Sequence, residues 1–306
     1  MLHVMLGYVV STMASKLIWP IADLFNYGRS VQPPSKQPFQ AVRHISELQD
    51  YFQAQNLAVD PCLLQQDRAP GYCYVCNRGV YFKVTGSTDG SPVNLRESLR
   101  CPRCKLINRW RSSIHLFEFL CTSNLDQEIY ITEALTPISY LLGKKYKNLT
   151  ASEYLSGVGR GSRKNIYGRS VQCEDVTRLT FPDENFDTIL CFDVLEHIPD
   201  YRKALAEFHR VLDRNGRLIL TVPFSFQQET IVRARIGVDG EIHHLCEPCY
   251  HDDPMSKEGI LAYYDFGMEL LSELNEVGFG QNCVVCHESN EWGYLGKNVA
   301  FVSQKL

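Results

Sequence analysis

The clearest pattern of hydrophobic and polar positions lies in the second half of the chain. Residues 188–192 form an apolar run without polar alternation, as expected of a strand that is covered on both faces of a parallel sheet. Residues 200–213 then repeat apolar side chains at helical spacing, and the pair Asn215-Gly216 supplies the left-handed residue that commonly ends a helix. A second apolar run follows at 217–222. The pattern predicts a βαβ unit with a right-handed crossover.

The same alternation of strands and helices extends on both sides of this unit. Further strands are predicted at 129–133, 149–154, 282–286 and 299–302, and a long amphipathic helix is predicted at 260–277. The sequence therefore predicts an α/β domain over residues 124–306.

Composition and charge narrow the class of protein. The chain has 306 residues, enough for two domains, and its net charge of −4 argues against nucleic acid as a partner. Several of the 12 cysteines are paired as CxxC, which favours reduced thiols and metal over a secreted disulfide framework. We therefore expect a cytoplasmic protein. The sequence does not indicate an oligomeric state.

Residues 1–60 are predicted to be an N-terminal helical segment outside the α/β domain. Residues 1–20 are apolar but interrupted by polar residues and Lys16, so the uninterrupted stretch is shorter than the ~20 residues that a membrane span needs. We predict a helix that docks on the protein, with contact at a membrane interface as the alternative, rather than a transmembrane segment or a cleaved signal peptide. Residues 41–56 are predicted to form a second helix.

Residues 61–123 carry a cysteine pattern that is typical of a structural zinc site. Cys73 and Cys76 form one CxxC pair, and Cys101 and Cys104 form a second pair after a gap of 24 residues. Two such pairs can converge so that four thiolates surround one Zn²⁺ tetrahedrally and leave no open position for water. The sequence therefore predicts a small zinc-ribbon-like module, and four unligated thiols are the alternative. A thioredoxin-like redox role is disfavoured because neither pair opens a helix after a strand.

Basic residues surround the second cysteine pair and continue beyond it. They are Arg100, Arg103, Lys105, Arg109 and Arg111. We interpret them as a solvated face, and contact with an anionic substrate or RNA is the alternative. A linking helix is predicted to follow at 112–120 and to lead into the α/β domain.

The segment from Cys173 to Phe224 is the most specific signal in the chain. It combines an acidic strand end at Asp175, a strand that ends in Asp193, a helix, a glycine stop and a further strand. Over about fifty residues, this order and spacing resemble the second half of a class I S-adenosylmethionine-dependent methyltransferase, in the group that methylates small molecules such as quinone precursors. The resemblance implies a Rossmann-like, seven-stranded sheet with helices on both faces. It also implies S-adenosylmethionine as the cofactor and a small molecule as the acceptor.

The resemblance and the predicted strand ends together give candidate cofactor-binding residues, because ligands of such sheets bind beyond the carboxyl ends of the strands. The candidates are Glu133, Thr136, Glu153, Asp175, Val176, Asp193 and Val194. Glu153 is predicted to accept hydrogen bonds from the ribose. The family places an acidic side chain beside the adenine amino group at the position of Asp175, and Val176 would pack on the adenine. Asp193 and Val194 would border the methionine and the substrate.

The first strand departs from the family pattern. In the family, an acidic residue at the end of this strand is followed by glycines, whereas Glu133 is followed by Ala134, Leu135 and Thr136. The Thr136 hydroxyl and the nearby amides at a helix N-terminus are predicted to bind the cofactor carboxylate instead. The glycines at 157–161 are predicted to form a loop after the second strand rather than a substitute for the missing ones.

Candidate catalytic residues follow the fourth and fifth predicted strands. Methyl transfer to oxygen needs a general base, and His197 is a candidate for that role or for orienting its loop. The segment 241–253 is predicted to cover the acceptor and to contribute His244 and Tyr250. Cys246 and Cys249 with nearby histidines form an alternative second metal site.

Three functions remain open at the level of sequence. The leading one is methyl transfer from S-adenosylmethionine to a small or carbohydrate-like acceptor. A noncatalytic scaffold that has lost the cofactor together with its glycines is the first alternative. An RNA methyltransferase is the second, and the negative net charge weakens it.

Overall fold

The computed structural model describes residues 31–55, 68–85, 93–121, 124–253 and 256–306. The helix predicted within residues 1–20 lies outside the described residues. Within these ranges, no helix is both long enough and apolar enough to cross a membrane.

Short strands and helices precede the longest strands of the chain. Before residue 124 the elements are β1 (Phe39–Val42), α1 (Ile45–Gln55), β2 (Arg68–Cys73), β3 (Arg78–Val84), α2 (Leu95–Ser98), β4 (Leu99–Arg100) and α3 (Asn108–Cys121). The next elements are β5 (Ile129–Ile131), α4 (Pro137–Lys145), β6 (Leu149–Glu153), β7 (Arg163–Ile166), β8 (Arg169–Cys173), β9 (Phe186–Phe192), a 3-10 helix (Leu195–His197), α5 (Tyr201–Val211) and β10 (Leu212–Thr221). The last elements are β11 (Ile231–Val232), β12 (Ala234–Ile236), β13 (Ile242–His244), β14 (Tyr250–Asp253), β15 (Ser256–Leu261), β16 (Tyr264–Asp265), α6 (Leu270–Glu276), β17 (Phe279–Ser289) and β18 (Tyr294–Lys305).

A nine-stranded mixed sheet forms the centre of the described structure, in the order β1-β17-β18-β10-β9-β5-β6-β8-β7. The five strands from β10 to β8 pair in parallel, whereas β18, β17, β1 and β7 pair antiparallel with their neighbours. The strands that the sequence predicts all lie in this sheet. The predicted number of seven strands is not confirmed, because the sheet has nine: β1 extends one edge and β7 extends the other.

Helices cover both faces of the sheet, as predicted. In β9, Ile189 and Cys191 pack in the same apolar layer as side chains of α1, α5 and α6. Leu190 and Phe192 face the opposite layer, which contains side chains of α3 and α4. Because successive residues of a strand point to opposite faces, the unbroken apolar run of β9 is what a doubly covered strand requires.

Two local predictions are wrong. Residues 39–42 form the edge strand β1, and the helix of this region begins only at Ile45. Residues 260–277 are not one helix, because 256–261 pair with β14 and only α6 is helical. Gly267 lies so close to Glu229 that a Cβ there would be 2.4 Å from the Glu229 backbone, so the chain makes a close loop contact at that point.

The part of the chain that carries the two CxxC pairs forms a small three-stranded sheet of β2, β3 and β4. This sheet packs on the turn between β17 and β18. Phe82 is fully buried in its core, together with Leu295 of β18. Gly293 permits the close approach, because its φ is +61° and a Cβ there would lie 2.0 Å from the Phe82 ring. The domain boundaries at 60/61 and 123/124 stay a prediction.

Candidate functional site

A cavity of about 1590 Å³ opens beyond the carboxyl ends of the parallel strands. It lies where an open α/β sheet is expected to bind a ligand. Its wall contains all seven candidate cofactor-binding residues together with His197 and Tyr250. His244 is exposed on β13 and is not part of this wall, so the structure separates it from the other candidates.

Glu133 follows β5 and is almost completely buried. Its Oε2 accepts a hydrogen bond from the Phe192 amide at 3.1 Å, which ties β5 to β9. Burial raises the pKa of Glu133 well above its usual range, although the nearby Arg109 guanidinium and the Phe192 amide favour the charged form. Glu133 is therefore mainly a support for the cavity wall in this structure.

The first turn after β5 closes without glycines. The Thr136 hydroxyl donates to the Glu133 carbonyl oxygen at 3.0 Å and accepts from the Ser139 amide at 3.4 Å, so that it caps the start of α4. The Leu135 amide donates to Oε2 of Glu153 at 3.3 Å. The glycines at 157–161 lie in the loop after β6, as predicted, and the β7–β8 hairpin follows them.

Asp175 and Val176 follow β8 at the same edge of the sheet. Asp175 Oδ1 accepts hydrogen bonds from the amide and the hydroxyl of Thr177, at 2.9 and 2.7 Å. These bonds fix the orientation of the carboxylate. Val176 is partly buried against the main apolar core and also lines the cavity.

Asp193 is held by two arginines that come from the N-terminal part of the chain. Its carboxylate accepts two hydrogen bonds from Arg96 of α2, at 2.6 and 2.8 Å, and forms an ion pair with Nε of Arg109 at 2.9 Å. Glu97 accepts two further hydrogen bonds from Arg109. Burial acts to raise the pKa of Asp193, but Arg109 and Arg96 outweigh it and hold that pKa well below its usual range.

The interpretation of the basic residues as a solvated face is wrong for two of them. Arg109 is tied into the cavity wall as described, and Arg111 is fully buried with its guanidinium 3.8 Å from the centre of the Phe82 ring. Arg96 is a residue of the candidate site that sequence reasoning misses. Its helix of four residues gives no local pattern that would indicate a contact with Asp193.

Glu196 and His197 lie in the 3-10 helix that follows Asp193, and His251 of β14 lies against them. Nδ1 of His197 is 2.9 Å from the Leu261 carbonyl oxygen, and Nε2 of His197 is 3.7 Å from Oε1 of Glu196. Nδ1 of His251 is 3.4 Å from the same carboxylate oxygen. Burial raises the pKa of Glu196, and the Glu196 carboxylate raises the pKa of His251.

Two groups of residues within the described ranges have ligand atoms close enough for a metal ion, namely the four predicted cysteines and Glu196 with His197 and His251. Cys246 and Cys249 belong to neither group, so the structure does not assemble the predicted alternative site around them.

The four cysteines converge as the sequence predicts. The Sγ atoms of Cys73 and Cys104 are 3.9 Å apart, and those of Cys76 and Cys101 are 3.8 Å apart. Four sulfurs at the usual Zn–S distance in a tetrahedron would be about 3.8 Å apart. The amide of Arg103 also points to Cys101 Sγ at 3.4 Å. The geometry therefore fits a four-thiolate zinc site.

The surroundings of this cluster also fit a negatively charged metal centre. The positive charge of the Arg111 guanidinium favours the thiolate form of Cys73. Its Nη2 donates to the Gly293 carbonyl oxygen at 2.9 Å, but Nε and Nη1 have no hydrogen-bond partner in the part of the chain that the structure describes. A buried guanidinium is costly without a compensating charge, and zinc held by four thiolates would supply a net negative one.

One family model matches the central part of the chain. Residues 136–220 match the family model described as methyltransferase domain. This span runs from the start of α4 into β10 and includes Glu153, Asp175 and Asp193. It also includes Glu196 and His197.

Curated relatives match parts of the chain at low identity. A demethylmenaquinone methyltransferase of Staphylococcus carnosus is 27% identical over 155 residues, which cover 51% of this chain and 52% of that protein. An uncharacterized protein of Methanocaldococcus jannaschii is 38% identical over 72 residues, which cover 24% of this chain and 30% of the relative. The chain thus spans about half the length, or less, of these curated relatives.

A solved structure of an S-adenosylmethionine-dependent methyltransferase from Mesorhizobium loti matches with a TM-score of 0.41 and 10% identity. The match covers 66% of this chain and 100% of that protein. A likeness at this level does not bear on activity.

Proposed function

We propose that the chain is an S-adenosylmethionine-dependent methyltransferase that binds its cofactor in the cavity at the carboxyl ends of β5, β6, β8 and β9. One observation carries the proposal. Glu153, Asp175 and Asp193 each follow a different strand, line one cavity, and lie within the span that matches the methyltransferase domain.

The three carboxylates suit three parts of the cofactor. Glu153 would accept hydrogen bonds from the ribose hydroxyls, as acidic residues at this strand end do in other nucleotide-binding sheets. Asp175, oriented by Thr177, would accept one from the adenine amino group, and Val176 would pack on the adenine ring. Asp193 would border the methionine end.

The missing glycines restrict how the methionine end is bound. The Thr136 hydroxyl is already engaged in capping α4 and holds the Ser139 amide, and Pro137 has no N–H. The helix dipole and the remaining amide of the first turn, rather than the hydroxyl, would therefore favour the cofactor carboxylate. A helix N-terminus favours an anion through its unpaired amides and its dipole.

The acceptor in this proposal is a small molecule. Bound S-adenosylmethionine would supply the methyl group, and the protein would mainly align the acceptor and exclude water. Tyr250 lines the cavity and would contact the acceptor. His197 orients its loop, since its Nδ1 hydrogen bond to Leu261 ties the 3-10 helix to β15. The relative named as a demethylmenaquinone methyltransferase supports a quinone-like acceptor.

Zinc would have a structural role in the cysteine module. The module places Arg96 and Arg109 against Asp193, so a metal that orders it would also order one wall of the cavity. A cytoplasmic location stays a prediction.

A noncatalytic scaffold remains the second candidate, because the turn after β5 lacks the glycines of the family pattern. The RNA methyltransferase alternative loses support, since Arg109 and Arg111 of the basic patch are turned inward.

A thermal-shift series with S-adenosylhomocysteine tests the proposal. A ligand at one hundred times its dissociation constant stabilises a protein by about 2.7 kcal/mol, which a melting curve resolves. We expect wild type to shift upward, Asp175→Ala to shift much less at the same concentration, and Asp213→Ala, at an exposed acid remote from the cavity wall, to behave like wild type. A wild-type protein that does not shift at millimolar ligand would favour the scaffold.

A further inference from the structure

A second group of metal-ligating side chains lies at the cavity wall, where β9 passes into the 3-10 helix, and two of its three members, His197 and His251, line the cavity. Glu196 is fully buried there, and neither of its carboxylate oxygens has a hydrogen-bond partner among the described residues. An ionised carboxylate in such a position is costly unless a cation compensates it. The nearest histidine nitrogens lie 3.4 and 3.7 Å from Oε1 and make no hydrogen bond to it, which leaves room for an ion between these groups.

The two histidines offer their ring nitrogens to this carboxylate. The contact between Nδ1 of His197 and the Leu261 carbonyl oxygen requires a proton on Nδ1, because a carbonyl can only accept. The neutral ring then has its lone pair on Nε2, which is the atom that lies 3.7 Å from Glu196 Oε1. A backbone acceptor that fixes the tautomer in this way is typical of metal-bound histidine.

The distances suit a metal centre. The nitrogen of His251 and that of His197 are 3.4 and 3.7 Å from the same Glu196 oxygen, and the three ligand atoms lie within 4.8 Å of one another. Ligands at about 2.1 Å in a tetrahedral arrangement are separated by about 3.4 Å, so only small shifts are needed.

We propose that Glu196, His197 and His251 bind a divalent first-row transition-metal ion. Two imidazoles and one carboxylate favour such an ion over magnesium or calcium. Three protein ligands leave a coordination position open, and the position faces the cavity because His197 and His251 line it. An oxygen of the acceptor would occupy that position. The role toward the acceptor rests on the proposed methyl transfer, whereas metal binding itself does not.

The experiment measures Mn²⁺ binding by electron paramagnetic resonance on the full chain loaded with one equivalent of Zn²⁺, which the four thiolates take first, and with excess zinc removed. Mn²⁺ prefers oxygen and nitrogen ligands, so it does not report on the cysteine cluster. We expect one Mn²⁺ per wild-type chain and at least about tenfold weaker binding in Glu196→Gln and in His251→Ala. His243→Ala is the matched control, because this histidine is half-exposed, pairs with Asp239 and belongs to neither candidate metal group among the described residues. It should bind as wild type does.

Two results would overturn the proposal: no stoichiometric Mn²⁺ in wild type, or equal affinity in wild type and His251→Ala. The His251 side chain is one-third exposed on a two-stranded ribbon, so its removal keeps the fold even if the buried Glu196→Gln variant is unstable. Parallel titration with S-adenosylhomocysteine separates the two claims. A wild-type protein that binds S-adenosylhomocysteine but no Mn²⁺ would reject the metal site alone, and one that binds Mn²⁺ but no S-adenosylhomocysteine would reject the methyltransferase alone.

Discussion

Replacing Asp193 with asparagine tests whether the N-terminal module and the sheet are joined through a buried ion-pair cluster. Asp193→Asn keeps the size and one acceptor oxygen but removes the charge that Arg96 and Arg109 face. The Asp193 side chain is only 13% exposed, and the Arg109 side chain is 11% exposed, so water replaces little of the lost interaction.

The size of the effect follows from these contacts. Removing one partner of a buried pair costs about 3–5 kcal/mol, because the other charge is left uncompensated. Glu97 remains paired with Arg109, which reduces the cost. We therefore expect Asp193→Asn to lower the free energy of unfolding by about 2–4 kcal/mol.

Urea denaturation at neutral pH measures this loss, and Asp265→Asn is the matched control. Asp265 pairs with Arg233 at 2.7 Å, but both side chains are more than one-fifth exposed, so its loss should be about 1 kcal/mol or less. Because the pKa of Asp193 is lowered in the folded state, its contribution is complete above the ordinary value of 3.8 and is lost as the pH falls below it. Equal losses in the two variants would refute the reasoning.

Of two further predictions, one concerns the four zinc-site cysteines and the other concerns the buried His287. Cys101→Ser should release one zinc per chain, seen by elemental analysis, and lower the melting temperature; a metal-free wild type would contradict the site. Burial lowers the pKa of His287 from 6.5 to about 4, so the unfolded chain binds the extra proton and stability falls as the pH drops through this window. Between pH 7 and about 4.5, wild type should lose about 2 kcal/mol more than His287→Gln in urea titrations, and identical losses would show that His287 is not buried in its neutral form.

The elements that the sequence predicts best are those whose signal is local. The βαβ unit of β9, α5 and β10 has an apolar run and a helical stripe, and both appear in the structure. The predicted stop is only partly right: Asn215 has the left-handed conformation with φ +63°, but α5 already ends at Val211 and Gly216 lies within β10. The two CxxC pairs are a second local signal, because their spacing alone predicts the convergence of four sulfurs that the structure shows. In contrast, the apolar side chains of α6 are regularly spaced, but the same spacing continues back into residues that pair as the β14–β15 ribbon.

The parts of the candidate site that the sequence does not predict depend on long-range contacts. Arg96 and Asp193 are 97 positions apart, and neither residue's neighbours indicate the pairing. The approach of His251 to Glu196 depends on how the β14–β15 ribbon folds back over the 3-10 helix. His244 is near His251 in sequence, and yet it lies on a different ribbon, paired with β12.

Calorimetric titration of the wild-type protein with S-adenosylhomocysteine tests cofactor binding most directly, because it needs no knowledge of the acceptor. We predict saturable binding of one molecule per chain, with affinity reduced by a free-energy loss of about 1–3 kcal/mol in Asp175→Ala when one hydrogen bond to the buried adenine is removed. No binding at millimolar concentration of either S-adenosylhomocysteine or S-adenosylmethionine would contradict the proposed function and identify the cavity as that of a noncatalytic scaffold.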